Sequence, residues 1–474
     1  MTVLAIDQGT SGTKAIVVDP VDGVVGLAEV AVHPRYLDGG GVEQDPAELL
    51  DSVLTAGRAA TEQAGRPIDA VSLANQGETV LAWDPDTGRP LTAAIVWQDR
   101  RAEPLCAALG EHRELFAART GLVLDSYFSA PKMAWLRRNV ETGGVVTTSD
   151  TWLLHQLTGA FVTDATTASR SLAVELGAQD WSTELLGLFG LDGERLPAIV
   201  GNDEMIGTTT AFGAETPVGG IVVDQQAALL AEGCLDPGMA KCTFGTGAFL
   251  LANTGDTPVH STAGLTSSVA WRTGGKDTFC VDGQVYTAAS AVKWLSSLGV
   301  ISGAAEMDSV AADDAGGVLC VPALAGLAAP WWKSQATATI SGMSLSTGRG
   351  HIVLAVLQGI AAQVAELASA IDTDATGLTR LRADGGLTQS KVLMQAVADI
   401  LQVPVDVYPS AHATALGAAA LAALSLQPGR SVRDVVSQWT PSASYEPSWQ
   451  PARADEFRSA WRALAATTYP QETS

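Results

Sequence analysis

Short apolar runs broken by glycine, threonine and aspartate recur along this chain. Val3-Leu-Ala-Ile6 is the first, and Ala15-Ile-Val-Val18 resumes the pattern after a loop, so the opening reads as strand, turn and strand. A third strand, Val24 to Val32, follows the turn signal Asp22-Gly23, and antiparallel pairing of the three is the simplest arrangement. Asp45-Pro-Ala-Glu-Leu-Leu predicts a helix, with Asp45 as its cap and Pro46 in the first helical position. Strands at Ala70 to Leu73 and Val80 to Trp83, a helix around Arg101 to Leu109 and a segment at Trp152 to Leu157 continue an α/β alternation.

The second half opens in the same way. Met239 to Asn253 is again an apolar run, a Gly245-Thr246-Gly247 turn and an apolar run. Val353, Leu357, Ile360, Val364, Leu367 and Ile371 recur at helical spacing and predict a core helix from His351 to Ile371. A strand ending in Asp384-Gly385-Gly386 then precedes a helix carrying Val392, Leu393, Ala396, Val397 and Ile400. Matching Gly/Thr turns in the two halves predict two α/β domains, residues 1–233 and 234–474, with a nucleotide held in the cleft between them.

Composition narrows the classes of partner. A chain of 474 residues exceeds the size at which one core stops growing, which also favours two domains. Lys and Arg total 28 against 51 Asp and Glu, a formal charge of −23 that argues against nucleic acid or an anionic membrane as the main partner. The five cysteines show no CxxC or Cys/His spacing, so neither a disulfide framework nor a zinc site is expected, and a reducing cytoplasmic setting fits. The chain enters a strand almost at once, so no secretory leader is expected. No apolar run is expected to be long enough to span a bilayer, and the alanine-rich stretches read as core helices.

Two places carry candidate chemistry. In Asp7-Gln-Gly9-Thr10-Ser11-Gly12-Thr13-Lys14, the glycines let the backbone approach a ligand and the hydroxyls and N–H groups can form an anion nest. A carboxylate beside such a nest repels phosphate unless a divalent cation lies between them, so Asp7 points to Mg²⁺ held through water, with Lys14 steering the phosphate. The alternative is an ordinary Gly-rich hairpin with a solvated Asp. The second place is Val223-Asp224-Gln225-Gln226, where a carboxylate at a strand end is either a helix N-cap or the base that takes a proton from an attacking hydroxyl. No Walker A sequence is present, and Gly245-Thr246-Gly247-Ala-Phe-Leu250 fails the dinucleotide fingerprint at its last position.

Taken in order, Asp7 to Thr13, Ala94-Ile-Val-Trp-Gln-Asp-Arg-Arg101, Thr120 to Phe128, Asp224 to Leu229, Gly245-Thr-Gly247, Asp384-Gly-Gly386 and Ala413 to Ala419 resemble the FGGY carbohydrate kinases, above all their glycerol kinase branch. The resemblance runs from the first strand to about residue 425. It implies a two-domain actin-like, ribonuclease H-like ATPase fold, with ATP and Mg²⁺ in the cleft and a small polyol or sugar bound mostly by the first domain. The activity it implies is ATP-dependent phosphorylation of a primary hydroxyl, with Asp224 as general base. It further implies that Thr10, Ser11 and Lys14 form the first phosphate loop and Asp7 the metal-associated carboxylate. Thr246 would belong to the second phosphate loop, and Gly385, Gly386 and Ser390 would hold the adenosine, Ser390 standing where an asparagine is usual. Gln76, Glu78, Trp97, Tyr127, Asp224, Gln225 and Phe249 would form the acceptor pocket. Trp97 taken alone reads as a core aromatic. A homodimer or tetramer is the expected assembly.

Three departures stand out. Gly77 lies where the glycerol kinase branch has an arginine, which removes a guanidinium and its volume together, so the pocket is larger or another residue fills it. Lys333 replaces an aspartate, and Thr337-Ala338 an Arg-Gly pair. The segment before Asp224 is too short for a regulatory effector loop. Gly77 makes a tetritol, a pentitol or a keto sugar a plausible acceptor. A xylulokinase-type enzyme is thus the alternative within the class, and a non-catalytic actin-like ATP-binding sensor the alternative outside it.

Overall fold

Three parallel strands end side by side in the first lobe, and the sheet order explains why. The computed structural model describes residues 1–140, 143–374, 377–427 and 429–469. Its first sheet has six strands, in the order Met205–Thr209, Thr216–Val223, Ala70–Asn75, Val3–Gln8, Gly12–Asp19 and Gly23–Ala31. The last three form the expected antiparallel meander, with Asp7 opposite Lys14. On its other side Val3–Gln8 runs parallel to Ala70–Asn75, which runs parallel to Thr216–Val223. The register sets Gln8 against Asn75 and Asn75 against Val223. Asp7, the 76–78 turn and Asp224 therefore emerge at one edge, the carboxyl ends of parallel strands where open α/β sheets bind ligands.

Alternation along Val3–Gln8 assigns a helix to each face. Leu4 and Ile6 pack on Leu49, Val53, Ala56 and Ala60 of the helix Pro46–Ala64, where Asp45 accepts from the Ala47 N–H at 2.9 Å. Val3 and Ala5 pack on Ala415, Ala419 and Ala422 of the helix Ala413–Ser425, which returns from far along the chain to cover the first sheet.

The second lobe repeats the hairpin plan. Its seven strands run Thr266–Thr273, Lys276–Val285, Ala248–Gly255, Ala240–Phe244, Leu381–Asp384, Val405–Val407 and Ala443–Tyr445. Ala240–Phe244 turns through Gly245-Thr246-Gly247 into antiparallel Ala248–Gly255, and runs parallel to Leu381–Asp384 with Thr243 opposite Asp384. All six residues of the predicted helical stripe lie in this lobe's core. One expectation is corrected here: Arg349–Thr373 is long and apolar enough to cross a membrane, but 83% of its most apolar window is buried inside the lobe. A helix enclosed by a sheet on one side and helices on the other must be apolar nearly all round. The two lobes together have the two-domain actin-like, ribonuclease H-like architecture.

Candidate functional site

A cleft of about 540 Å³ opens where the strand ends of the two lobes face each other. Thr10, Ser11, Gln76, Glu78, Trp97, Tyr127, Asp224, Gln225, Thr246 and Phe249 all line it. Asp7, Lys14, Gly385, Gly386 and Ser390 are not on its wall.

The first loop is a tight turn closed by the Gly9 N–H to the Gly12 carbonyl at 3.0 Å. Trp97 Nε1 donates to Thr10 Oγ1 at 2.9 Å, which fixes the indole against the loop. Tyr127 and Phe249 meet the same indole edge-on, with ring centroids 5.6 and 6.3 Å away. Trp97 is thus a wall of the cleft shared by residues of both lobes, and the three rings make an apolar corner suited to a carbon chain. Gln76 Nε2 donates to Gln44 Oε1 at 2.9 Å, and Gln44 donates to the Thr10 carbonyl at 2.6 Å, so the acceptor side and the loop share one polar network.

Asp224 is the first residue of the helix Asp224–Ala231. The capping position belongs to Val223, so the N-cap alternative for Asp224 fails and its carboxylate faces the cleft. Burial pushes this carboxyl above its ordinary range, opposed chiefly by the Lys241 ammonium. Lys241 itself is fully buried and donates to Gln225 Oε1 at 2.5 Å and Thr243 Oγ1 at 2.7 Å, holding Gln225 in place.

Burial first, and the Asp224 charge second, push Asp7 up to about 7, while Lys14 pulls it down. Two partly buried carboxylates that disfavour each other are relieved by a divalent cation between them. Among the described residues no group of three or more His, Cys, Asp or Glu forms a metal cage. The partly buried carboxylates of Asp7 and Asp224 are hard oxygen donors of the kind Mg²⁺ accepts beside waters and substrate phosphates, so these residues are compatible with that ion.

In the second loop, the Thr246 carbonyl accepts from the Ala288 N–H at 2.9 Å and from Ser290 Oγ at 3.1 Å. A Cβ on Gly247 would lie 2.4 Å from the Val285 carbonyl oxygen, so only glycine permits this turn. Gly385 adopts φ +91°, and a Cβ there would lie 2.5 Å from the Phe244 carbonyl oxygen. Ser390 caps the helix Lys391–Leu401 by accepting from the Leu393 N–H at 3.1 Å, and its hydroxyl donates to Asp308. One acceptor position of the hydroxyl remains after these two bonds. Lys333 lies outside the cleft wall, its ammonium 5.8 Å from the centre of the Tyr469 ring.

Arg170, Asp282 and Lys132 escaped sequence reasoning. Arg170 and Asp282 line the cleft, and Arg170 pairs with both Glu78 and Asp282. Each had a weak signal: a lone cation in the small-residue run Ala165 to Ser171, and a carboxylate following the apolar run Phe279-Cys-Val281 inside the strand Lys276–Val285. Lys132 is the third, fully buried and donating to the carbonyls of Ser126, Tyr127 and Phe128.

Residues 2–231 match the N-terminal domain, and residues 240–426 the C-terminal domain, of the FGGY family of carbohydrate kinases. The chain is 42% identical to a glycerol kinase of Thermus brockianus and 40% identical to glycerol kinase 2 of Thermotoga maritima, in each case over 97% of both chains. Among solved structures, Plasmodium falciparum glycerol kinase with ADP superimposes with a TM-score of 0.93 at 32% identity, covering 99% of this chain and 98% of that one. A xyloylose kinase from Brucella ovis gives 0.90 at 26% identity, covering 98% and 99%.

Proposed function

Because this chain belongs to the FGGY family of carbohydrate kinases and is a glycerol kinase-like, ATP-dependent polyol or sugar kinase, we propose that Asp224 is its general base and that the acceptor is a small polyol phosphorylated on a primary hydroxyl. The observation that carries this reading is the Asp224 carboxylate, partly buried at a parallel strand end in a cleft shared by both Gly/Thr loops. Family membership sets aside the non-catalytic sensor.

The acceptor's carbon chain packs in the corner of Trp97, Tyr127 and Phe249, while Gln76, Glu78 and Gln225 bond its hydroxyls. Asp224 takes the proton of the attacking hydroxyl as that oxygen reaches the phosphoryl group. Thr10, Ser11 and Lys14 from one lobe and Thr246 from the other donate to the phosphates, with Gly385, Gly386 and Ser390 on the adenosine side. Mg²⁺ held at Asp7 supplies neutralising charge on the phosphates when bound. The lobes divide near residue 233, and their approach excludes water that would otherwise take the phosphoryl group. Gly77 favours a second reading, in which a tetritol, pentitol or keto sugar is the better acceptor.

A coupled ADP-release screen over glycerol, tetritols, pentitols and ketopentoses tests both readings. Release that depends on one of these acceptors and is lost in Asp224→Asn supports the proposal. ADP release indifferent to every acceptor would sink it.

A further inference from the structure

Gly77 is not merely a missing side chain. It adopts φ +65° and is followed by Glu78 at φ +44°, and a Cβ at position 77 would lie 3.3 Å from Val223 Cγ1. The backbone here is turned into a region that favours glycine, and any Cβ would press on the Val223 side chain.

The pocket nevertheless contains a guanidinium. It belongs to Arg170, which follows the short helix Ala165–Ser169. Its Nε donates to Glu78 of its own lobe, and its Nη1 donates at 3.0 Å to Oδ1 of Asp282, in the strand Lys276–Val285 of the other lobe. The cation lies 5.7 Å from the Tyr127 ring centre. Its base is anchored between the lobes as well, since Ser169 Oγ accepts from the Val269 N–H at 3.1 Å. Among the described residues Nη2 has no hydrogen-bond partner, and Arg170 lines the cleft. A planar guanidinium gripped by two carboxylates keeps its remaining N–H bonds in fixed directions, which suits recognition of a hydroxyl oxygen.

We infer that Arg170 supplies the acceptor pocket with the guanidinium that position 77 lacks, donating to a hydroxyl of the polyol away from the reacting one, and that Asp282 positions it from the opposite lobe. Acceptor affinity is then set by both lobes. This rests on the polyol kinase reading above.

Steady-state kinetics of Arg170→Lys, Asp282→Asn and Asp282→Glu, with acceptor and ATP varied separately, test it. Arg170→Lys keeps the charge but loses the fork, and is expected to raise the acceptor KM at least tenfold while the ATP KM stays within about twofold. Asp282→Asn is expected to do the same, with partial recovery in Asp282→Glu. An unchanged acceptor KM in Arg170→Lys, or acceptor and ATP KM values rising together, would overturn the inference. If Arg170→Lys fails to fold, the same split in Asp282→Asn decides. A wild-type enzyme without acceptor-dependent ADP release fails the underlying reading instead, which separates the two.

Discussion

A Cβ added to Gly417 would lie 1.9 Å from the carbonyl oxygen of Ala227. The helix Ala413–Ser425 therefore crosses against the bare backbone of Asp224–Ala231, one turn beyond the carboxylate at its start. In an exposed helix Gly to Ala gains about 1 kcal/mol. Here the contact is with backbone, which cannot yield as a side chain would, so overpacking at about 1–3 kcal/mol or more decides the sign. Gly417→Ala is expected to lower the denaturant midpoint and, by displacing Asp224, to lower kcat. An unchanged midpoint would mean the two helices separate at no cost.

Asp224 itself carries the pH prediction for turnover. Burial raises its carboxyl, and it works as a base only when ionised, so kcat is expected to fall as pH drops through a point above the ordinary carboxylate range. Asp224→Asn is expected to lower kcat by about 10²- to 10⁴-fold and to abolish that acid limb, with little change in ATP binding. A mutant that retains the limb assigns the titration to another group.

Lys132 ties down the loop that presents Tyr127. Burial lowers its ammonium to about 8, while Glu78, Asp99 and Asp125 hold it up. Lys132→Met leaves the Ser126, Tyr127 and Phe128 carbonyls without their donor, a loss of about 2–4 kcal/mol. Chemical denaturation is expected to show that loss, and kinetics a raised acceptor KM as Tyr127 moves. Wild-type stability would show that the carbonyls find other donors.

A second pH effect concerns stability alone. Asp150 is fully buried, accepts from Thr163 Oγ1 at 2.6 Å and leaves Oδ1 without a partner. Burial, then the Asp164 charge, push it up to about 6 from the ordinary 3.8. Between those values the folded state binds the proton and the unfolded state does not, so this group's contribution falls as pH rises from about 4 to about 6, by at most about 3 kcal/mol. Asp150→Asn is expected to flatten urea stability across that window relative to wild type. Parallel pH profiles for the two proteins would refute the assignment.

Where the sequence spoke clearly, the signal was local. Asp7 and Asp224 were visible because each ends an apolar run, and the Gly/Thr turns because strand, turn and strand are neighbours in the chain. The Asp45 cap and the 353–371 stripe were legible for the same reason. Ser390 carries a second role that resemblance did not indicate: its hydroxyl caps its own helix, because a serine ahead of a helix can satisfy the nearest free backbone N–H.

By itself, then, the sequence determined the alternation of elements, the two halves, the phosphate-loop candidates and the candidate base, all of which follow from periodicity and turn chemistry over a few residues. Only the tertiary structure decided what lines the cleft beside Glu78. Glu78 and Arg170 are 92 residues apart, and Arg170 and Asp282 are 112 apart. Their meeting depends on sheet order and on how one lobe's helix docks on the other's strand, which no local pattern encodes. Position 77 offers no cation, and the fold brings Arg170 to the cleft from elsewhere in the chain.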